Sequence, residues 1–356
     1  METRRFLPLV LLLCSPLSLP AAQSATPGSG AAAGTEVPRT HVAPLESSLT
    51  GLLSDIEMGV LLRVFFANTD EDLGLEINGF DFNELDIWAQ TSLDGFDARI
   101  NVDASDGTLV LEDAYVNWRK DEKVGVRVGS FKPRVLFSNE ADPNHLLFND
   151  RTVLGEFFDF WDTGVEASGR LTENFDYYVA LTNGDNGPAD DSLLVLRGEW
   201  SVNGGSLRPR EGSRGLQDVR EIQIGAVVYD DTGDDETGFG LDAIAHQGDW
   251  SAQFEVMSLD DGLGGPSFLD AVPVPLAPDS TPWALTGSFL TQDGFQIAGR
   301  LQDTDNATDT MIWSAGVNWF PDATDLAVIG EVAYFEGDDD GLVFQIGTSL
   351  GIWRPR

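Results

Sequence analysis

The chain has 356 residues, 42% of them apolar, and its 59 acidic and 21 basic residues give a formal net charge of −38. With 38 Gly and 21 Phe, the composition is that of a folded protein and excludes an intrinsically disordered one. The acidic balance excludes nucleic acid as a partner, because a uniformly negative chain and a polyanion repel each other.

The N-terminal residues have the three parts of a secretory signal peptide. A short basic start, Met1–Arg5, precedes the apolar run FLPLVLLLCSPLSLP, and Ala22 and Ser24 provide the small residues that a signal peptidase reads. We predict a cleaved signal peptide over 1–24 and, from its Ala, Gly and Pro content, a flexible leader over 25–55. A membrane anchor is the alternative, but it needs about 20 apolar residues, and three prolines interrupt this run.

From about Ile56 onward the sequence alternates apolar and polar residues, as in FDARINVDA (96–104) and DWSAQFEVMS (249–258). Period two is typical of a β-strand with one dry and one wet face. No apolar run approaches the length of a transmembrane helix. We predict sixteen strands, in chain order: 56–67, 83–93, 95–103, 109–119, 122–131, 160–171, 174–183, 192–202, 220–230, 237–247, 249–259, 282–290, 293–302, 310–320, 324–335 and 341–353.

The lengths of these strands and of their connections indicate a membrane barrel. Most strands have about 9 to 12 residues, whereas soluble strands average about five or six and a tilted membrane-spanning strand needs about 9 to 11. Short turns such as LDG and QDG alternate with longer polar connections, as in outer-membrane barrels. One connection, 203–219, is an exception: the alternation predicts a short turn at this place, but the connection is long. We therefore predict an all-β fold, a closed antiparallel transmembrane β-barrel of about 16 strands, over 56–356.

The dry face of the predicted strands carries aromatic residues near its ends, as the interfacial girdles of a membrane barrel do. They are Phe66, Phe96, Trp118, Trp200, Trp250, Trp283, Phe295 and Trp319. The alternative is a secreted soluble β-sandwich whose aromatics form a core, for example a carbohydrate-binding protein. Extraction without detergent would distinguish that protein from a barrel.

A set of motifs resembles the phosphate-selective porins O and P. In that family a strand reading E-A-Y-V-x-W leads through a charged turn to R-V-G-Q-F-K-P, and here the two parts stand as EDAYVNW (112–118) and RVGSFKP (127–133). The similarity continues, in order, through four further stretches: FNDRTV (148–153), DTGVEASG (162–169), YVALTNGDNG (178–187) and AGVNWFPD (315–322).

The resemblance implies a sixteen-stranded outer-membrane porin, commonly a homotrimer, through which small solutes diffuse passively to the periplasm. In the named members the solute is phosphate or polyphosphate. Segment 132–159 follows the fifth strand, where such porins fold a loop into the barrel, so we expect it to form the constriction. The implied partners are outer-membrane lipid, lipopolysaccharide and small solutes, in the outer membrane of a Gram-negative-type cell.

Basic residues on the predicted lumen faces are candidates for an anion pathway, because guanidinium groups bind phosphate with a two-pronged fork. The wall contributes Arg63, Arg99, Arg127, Arg197 and Arg300, and the constriction segment adds Lys132, Arg134 and Arg151. Carboxylates lie on the same faces and could cancel these charges in pairs. They are Asp97, Glu166, Asp176, Glu199, Asp242, Glu255 and Glu331.

Much of the remaining negative charge falls in connections predicted on the outside, such as DDTGDDETG and EGDDDG. These could bridge to lipopolysaccharide through Mg²⁺ or Ca²⁺, or simply be solvated. None has the spacing of a calcium loop, and we predict no resident metal or cofactor. The three histidines are scattered, Cys14 is the single cysteine and lies in the predicted signal peptide, and nucleophile and phosphate-binding motifs are missing. We therefore predict that the protein is not an enzyme.

Overall fold

The computed structural model of the protein describes residues 56–69, 78–105, 107–184, 192–204, 210–231, 236–259, 267–268, 272–273, 276–277, 279–306, 308, 310–321, 326–337 and 340–353. The predicted signal peptide (1–24) and leader (25–55) lie outside the described residues. So do 232–235 and 338–339, in the acidic connections.

Sixteen strands of the described chain close into one antiparallel barrel, in which each strand pairs with its neighbours in sequence and the last pairs with the first. The barrel strands are Ile56–Thr69 (β1), Asn78–Leu93 (β2), Phe96–Asp103 (β3), Val110–Asp121 (β4), Val124–Phe131 (β5), Asp162–Thr172 (β6), Phe175–Thr182 (β7), Leu193–Ser201 (β8), Arg220–Asp231 (β9), Glu236–Gln247 (β10), Trp250–Leu259 (β11), Trp283–Leu290 (β14), Phe295–Asp303 (β15), Met311–Trp319 (β16), Leu326–Glu336 (β17) and Gly341–Trp353 (β18). A separate two-stranded ribbon, Ser267–Phe268 (β12) and Val272–Pro273 (β13), lies in the long connection between β11 and β14. The prediction of a closed antiparallel barrel of about 16 strands is confirmed.

The alternation in the sequence separates two faces of the barrel wall. In β9, Ile222, Ile224 and Val228 are exposed on the outer face, while Gln223 and Val227 are buried on the inner face. The same alternation runs through β11 and β15 to β18. Large apolar side chains therefore cover the outside of the wall. Because the sheet closes on itself as a single layer, no second layer packs against this outer face in the described part of the chain.

Aromatic side chains form a row on the outer face at the end of the barrel where the short turns lie. Strand register places Phe96 beside Trp118 and Phe295 beside Trp319, each pair next to a short turn. Trp250 is paired with Phe289, and their rings lie 4.6 Å apart. We call this the short-turn end of the barrel and the opposite one the long-loop end.

The connection between β5 and β6 contains the helical turns that the structure describes. They are Phe137–Glu140 (α1), a 3₁₀ turn at Pro143–His145, and Val153–Phe157 (α2). None of the helices in the described part of the chain is long and apolar enough to cross a membrane.

Candidate functional site in the barrel lumen

Residues 132–161 between β5 and β6 fold into the barrel, and we call them the inward segment. Hydrogen bonds tie the backbone of this segment to side chains around the inner wall. Arg63 Nη2 on β1 donates to the carbonyl oxygen of Asn149 at 2.7 Å, and Asn318 Nδ2 on β16 donates to that of Leu147 at 2.9 Å. From a third direction, the amide of Phe137 donates to Asp242 Oδ2 on β10 at 3.0 Å. The segment thus crosses the lumen.

One buried asparagine holds the two arms of the inward segment together. Asn139 is fully buried, and its Oδ1 accepts a hydrogen bond from the amide of Leu136 at 2.9 Å. Its Nδ2 donates to the carbonyl oxygens of Pro133 and Phe158 at 3.0 and 3.1 Å. Thr152 begins α2 by accepting a hydrogen bond from the amide of Gly155. These bonds satisfy backbone groups that have no helix or sheet partner.

The half of the lumen nearest the long-loop end is an apolar core. Side chains of the inward segment, among them Leu136, Leu154 and Phe158, pack against apolar residues on the inner face of the wall. The wall contributes Ala180, Leu193, Val195, Val227, Tyr229, Met257, Leu259, Ile312, Ala333, Phe335 and Val343. Strands such as β8 and β9 therefore bear apolar side chains on both faces at this end. Burial of this surface is the main force that holds the segment inside.

Three of the predicted lumen arginines anchor the inward segment. Arg197 donates to both carboxylate oxygens of Asp242 at 2.7 and 3.0 Å and to the carbonyl oxygen of Val135 at 2.9 Å. Arg63 donates to Asn83 as well as to the segment. Arg300 donates to the carbonyl oxygens of Asp150 and Arg151 at 2.9 and 2.8 Å. All three side chains are buried against protein.

Two cations of the inward segment share one carboxylate. Arg151 Nε donates to Asp159 Oδ2 at 2.9 Å, and Lys132 Nζ is paired with the other oxygen of the same group. Arg151 also donates to the carbonyl oxygens of Ser138 and Ala141. Burial, together with the positive charge of Arg151, lowers the pKa of Lys132 from 10.5 to about 7, against the opposing effect of nearby Glu84 and Glu112.

The other three predicted cations lie along a polar cavity of about 540 Å³ beside β1 to β5. Arg99 donates to Asp113 at 2.7 Å, and Arg127 and Arg134 share Glu166 at 3.7 and 3.8 Å. The Nε atoms of Arg127 and Arg134 have no hydrogen-bond partner in the described part of the molecule. Their guanidinium groups lie over the rings of Tyr115 and Tyr178 at 4.8 and 4.2 Å. Lys132 and Arg151 also line this cavity.

Carboxylates face the same cavity from the neighbouring strands. Glu84 and Asp86 on β2 and Glu112 on β4 line it, and Asn101 Nδ2 donates to Glu112. One oxygen each of Glu84 and Asp86 has no hydrogen-bond partner among the described residues. The lining holds seven carboxylates and five Lys or Arg side chains, so it carries both signs of charge. No group of three or more potential metal ligands lies together in the described residues.

The sequence analysis named Glu166, Glu199 and Asp242, which pair with predicted cations, but it missed other carboxylates of the lumen. Glu84, Asp86 and Glu112 were not selected: Glu84 and Asp86 lie on the polar register of β2, whereas Glu112 shares the apolar register of β4 and turns inward beside a register shift between β3 and β4. Glu211 was also missed, and its signal was the unexpected length of the 203–219 connection. Asn139 had no recognisable signal, because its role depends on the path of the folded segment.

The fold is similar to that of porins of known structure. A porin of Rhodopseudomonas blastica with three substitutions aligns with a TM-score of 0.54 and 14% identity, over 83% of this chain and 100% of that one. A loop-deletion variant of OmpT, an outer membrane protein of Vibrio cholerae, aligns with a TM-score of 0.57 and 12% identity, over 83% and 99%. Neither a family model nor a curated protein matches the sequence. At these identities the likeness establishes the fold.

Proposed function

We propose that the protein is an outer-membrane porin through which small solutes diffuse passively, without catalysis. The observation that carries this proposal is the charged cavity of about 540 Å³ left between the inward segment and strands β1 to β5. A closed barrel leaves no unpaired strand edge, and its apolar outer face suits a lipid environment. In this setting the inward segment is the constriction, the signal peptide directs export, and the barrels assemble as homotrimers beside lipopolysaccharide.

Planar-bilayer recording on purified mature protein tests the proposal. We expect discrete conductance steps from protein that fractionates with outer membranes, requires detergent, and migrates faster on a gel before boiling. Full recovery of the protein in a soluble fraction would contradict membrane insertion and favour the carbohydrate-binding alternative. A heat-modifiable barrel that never conducts would contradict the porin while leaving the fold intact.

Anion transfer, including phosphate, is the finer part of the proposal, and it is supported by the motif resemblance and by the cations of the cavity. The contacts of the eight predicted cations support different roles for them. Arg63, Arg197 and Arg300 bond the backbone of the segment, whereas Arg127 and Arg134 line the cavity and their Nε atoms have no hydrogen-bond partner among the described residues. We therefore assign the strongest anion contacts to Arg127 and Arg134, with Arg99, Lys132 and Arg151 along the same passage.

A further inference from the structure

A second connection enters the lumen, from the short-turn end. β8 ends at Ser201 and β9 begins at Arg220, whereas β2 to β3, β4 to β5 and β6 to β7 are joined by two residues each. Within the described residues 210–219 of this β8–β9 connection, residues 211–213 are buried, whereas Gly215, Gln217 and Asp218 are exposed. Glu211 and Ser213 are 5% and 0% exposed, so residues 211–213 lie inside the barrel.

Glu211 joins this connection to both the wall and the inward segment. Arg300 Nη2 donates to its two carboxylate oxygens at 2.9 and 3.0 Å, and the amide of Leu147 donates to Oε2 at 2.9 Å. The side chains of Glu211 and Arg300 are 0% and 1% exposed. Removing one partner of such a buried pair leaves an uncompensated charge, which is strongly unfavourable.

The surrounding contacts show close packing on both sides of Glu211. Gly212 has a φ of +76°, and a Cβ there would lie 2.5 Å from Gln296 Nε2 on β15 and 2.9 Å from Leu147. Arg210 Nη2 lies 2.9 Å from the ring nitrogen Nε2 of His145. Arg214 stacks over the ring of Phe320 at 4.3 Å. Residues 210–214 are therefore fitted between the inward segment and the β15 to β16 wall.

We infer that residues 210–214 of the β8–β9 connection form a second plug, which closes the β8 to β16 side of the lumen and confines solutes to the cavity beside β1 to β5. This inference rests on the proposed porin function. His145 belongs to the lining of that cavity and also contacts Arg210, so the plug supports one wall of the passage. The Glu211–Arg300 pair thereby limits the size of the solutes that pass.

Conductance of the Glu211→Ala variant tests the inference. Because conductance follows the open cross-section, we expect a rise of roughly 1.5-fold or more and passage of larger uncharged polyethylene glycols. The matched control is Asp176→Asn, which breaks the Arg170–Asp176 pair on the wall and touches neither inward element. Wild-type conductance and size limit in Glu211→Ala would overturn the inference.

Cysteine labelling tests the plug without relying on conduction. In the mature protein, from which the predicted cleavage removes Cys14, Ser213→Cys should resist a water-soluble thiol reagent, and addition of Glu211→Ala should make it reactive. Asp142→Cys, exposed in the open cavity, should react in both. Equal labelling of Ser213→Cys and Asp142→Cys in the otherwise unaltered barrel would overturn the plug. If the wild-type barrel does not conduct, while Ser213→Cys in the otherwise unaltered barrel is protected from the reagent, only the porin proposal is overturned.

Discussion

At the scale of single residues, charge alone does not indicate whether a lumen side chain serves the solute or the fold. Arg300 and Arg134 both point inward, yet Arg300 is saturated by Glu211 and backbone carbonyls, while Arg134 Nε meets Glu140 and Glu166 only through ion pairs. The difference lies in the density of acceptors around each guanidinium. Under the proposed function, we expect the cations that bind solute to be those whose donors exceed their local acceptors.

Lys132 should make the channel sensitive to pH near neutrality. Because burial and Arg151 lower its pKa toward neutrality, we expect Lys132 to gain charge as the pH falls from 8 toward 6. We expect anion preference, measured from reversal potentials, to rise over this interval. Carboxylates that protonate act in the same direction, so the Lys132→Met variant isolates the lysine, and we expect a weaker rise in it. Identical pH profiles would show that Lys132 does not titrate in the passage.

At the scale of elements, the inward segment behaves as a small core enclosed by the barrel. It is held by apolar burial near the long-loop end and by side-chain bonds to its backbone deeper inside. The wall, by contrast, is held by the continuous hydrogen-bonded ladder of sixteen strands. The two elements therefore depend on different interactions, and the segment can be altered while the ladder persists.

Deletion of 138–148 tests this separation. The deletion removes Asn139 and the carbonyl oxygens bound by Arg151 and Asn318, while every barrel strand remains. We expect a higher single-channel conductance and a barrel that still migrates faster before boiling. Unchanged conductance in a barrel that remains heat-modifiable would place the constriction elsewhere.

At the scale of the whole molecule, the net charge of −38 opposes the local cations of the passage. The negative charge is spread over connections as well as the wall, and salt screens its electrostatic potential. This potential therefore extends into the lumen only when the salt concentration is low. The Debye length is about 8 Å at 0.15 M and about 30 Å at 0.01 M. Under the proposed function, Arg127 and Arg134 act on an ion within the passage, where screening is weak.

Selectivity should therefore change with salt concentration. We expect weak anion preference at 1 M salt, shifting toward cations as salt is lowered, and loss of the anion preference in Arg134→Gln. Arg119→Gln removes the same charge from an exposed site and should leave selectivity at 1 M salt unchanged. Strong cation selectivity at 1 M salt, equal in wild type and Arg134→Gln, would contradict a role for this cation.

The sequence by itself determined the wall. All sixteen barrel strands lie where alternation predicted them, and the inner and outer faces follow from that alternation, because the side-chain period of a strand is a local property of its backbone. Runs without alternation, such as Leu193–Leu196, are the sequence signal of the apolar lumen core. There the inner face of the wall packs against the inward segment and is apolar like the outer face.

Only the tertiary structure decided what fills the barrel. Arg300 meets a carboxylate 89 positions away, and Arg197 meets one 45 positions away. Neither separation is set by a local period. These pairs form because barrel closure brings distant strands around one lumen and two connections enter it from opposite ends. Whether an inward charge binds its own chain or a passing solute depends on that closure, which no single strand encodes.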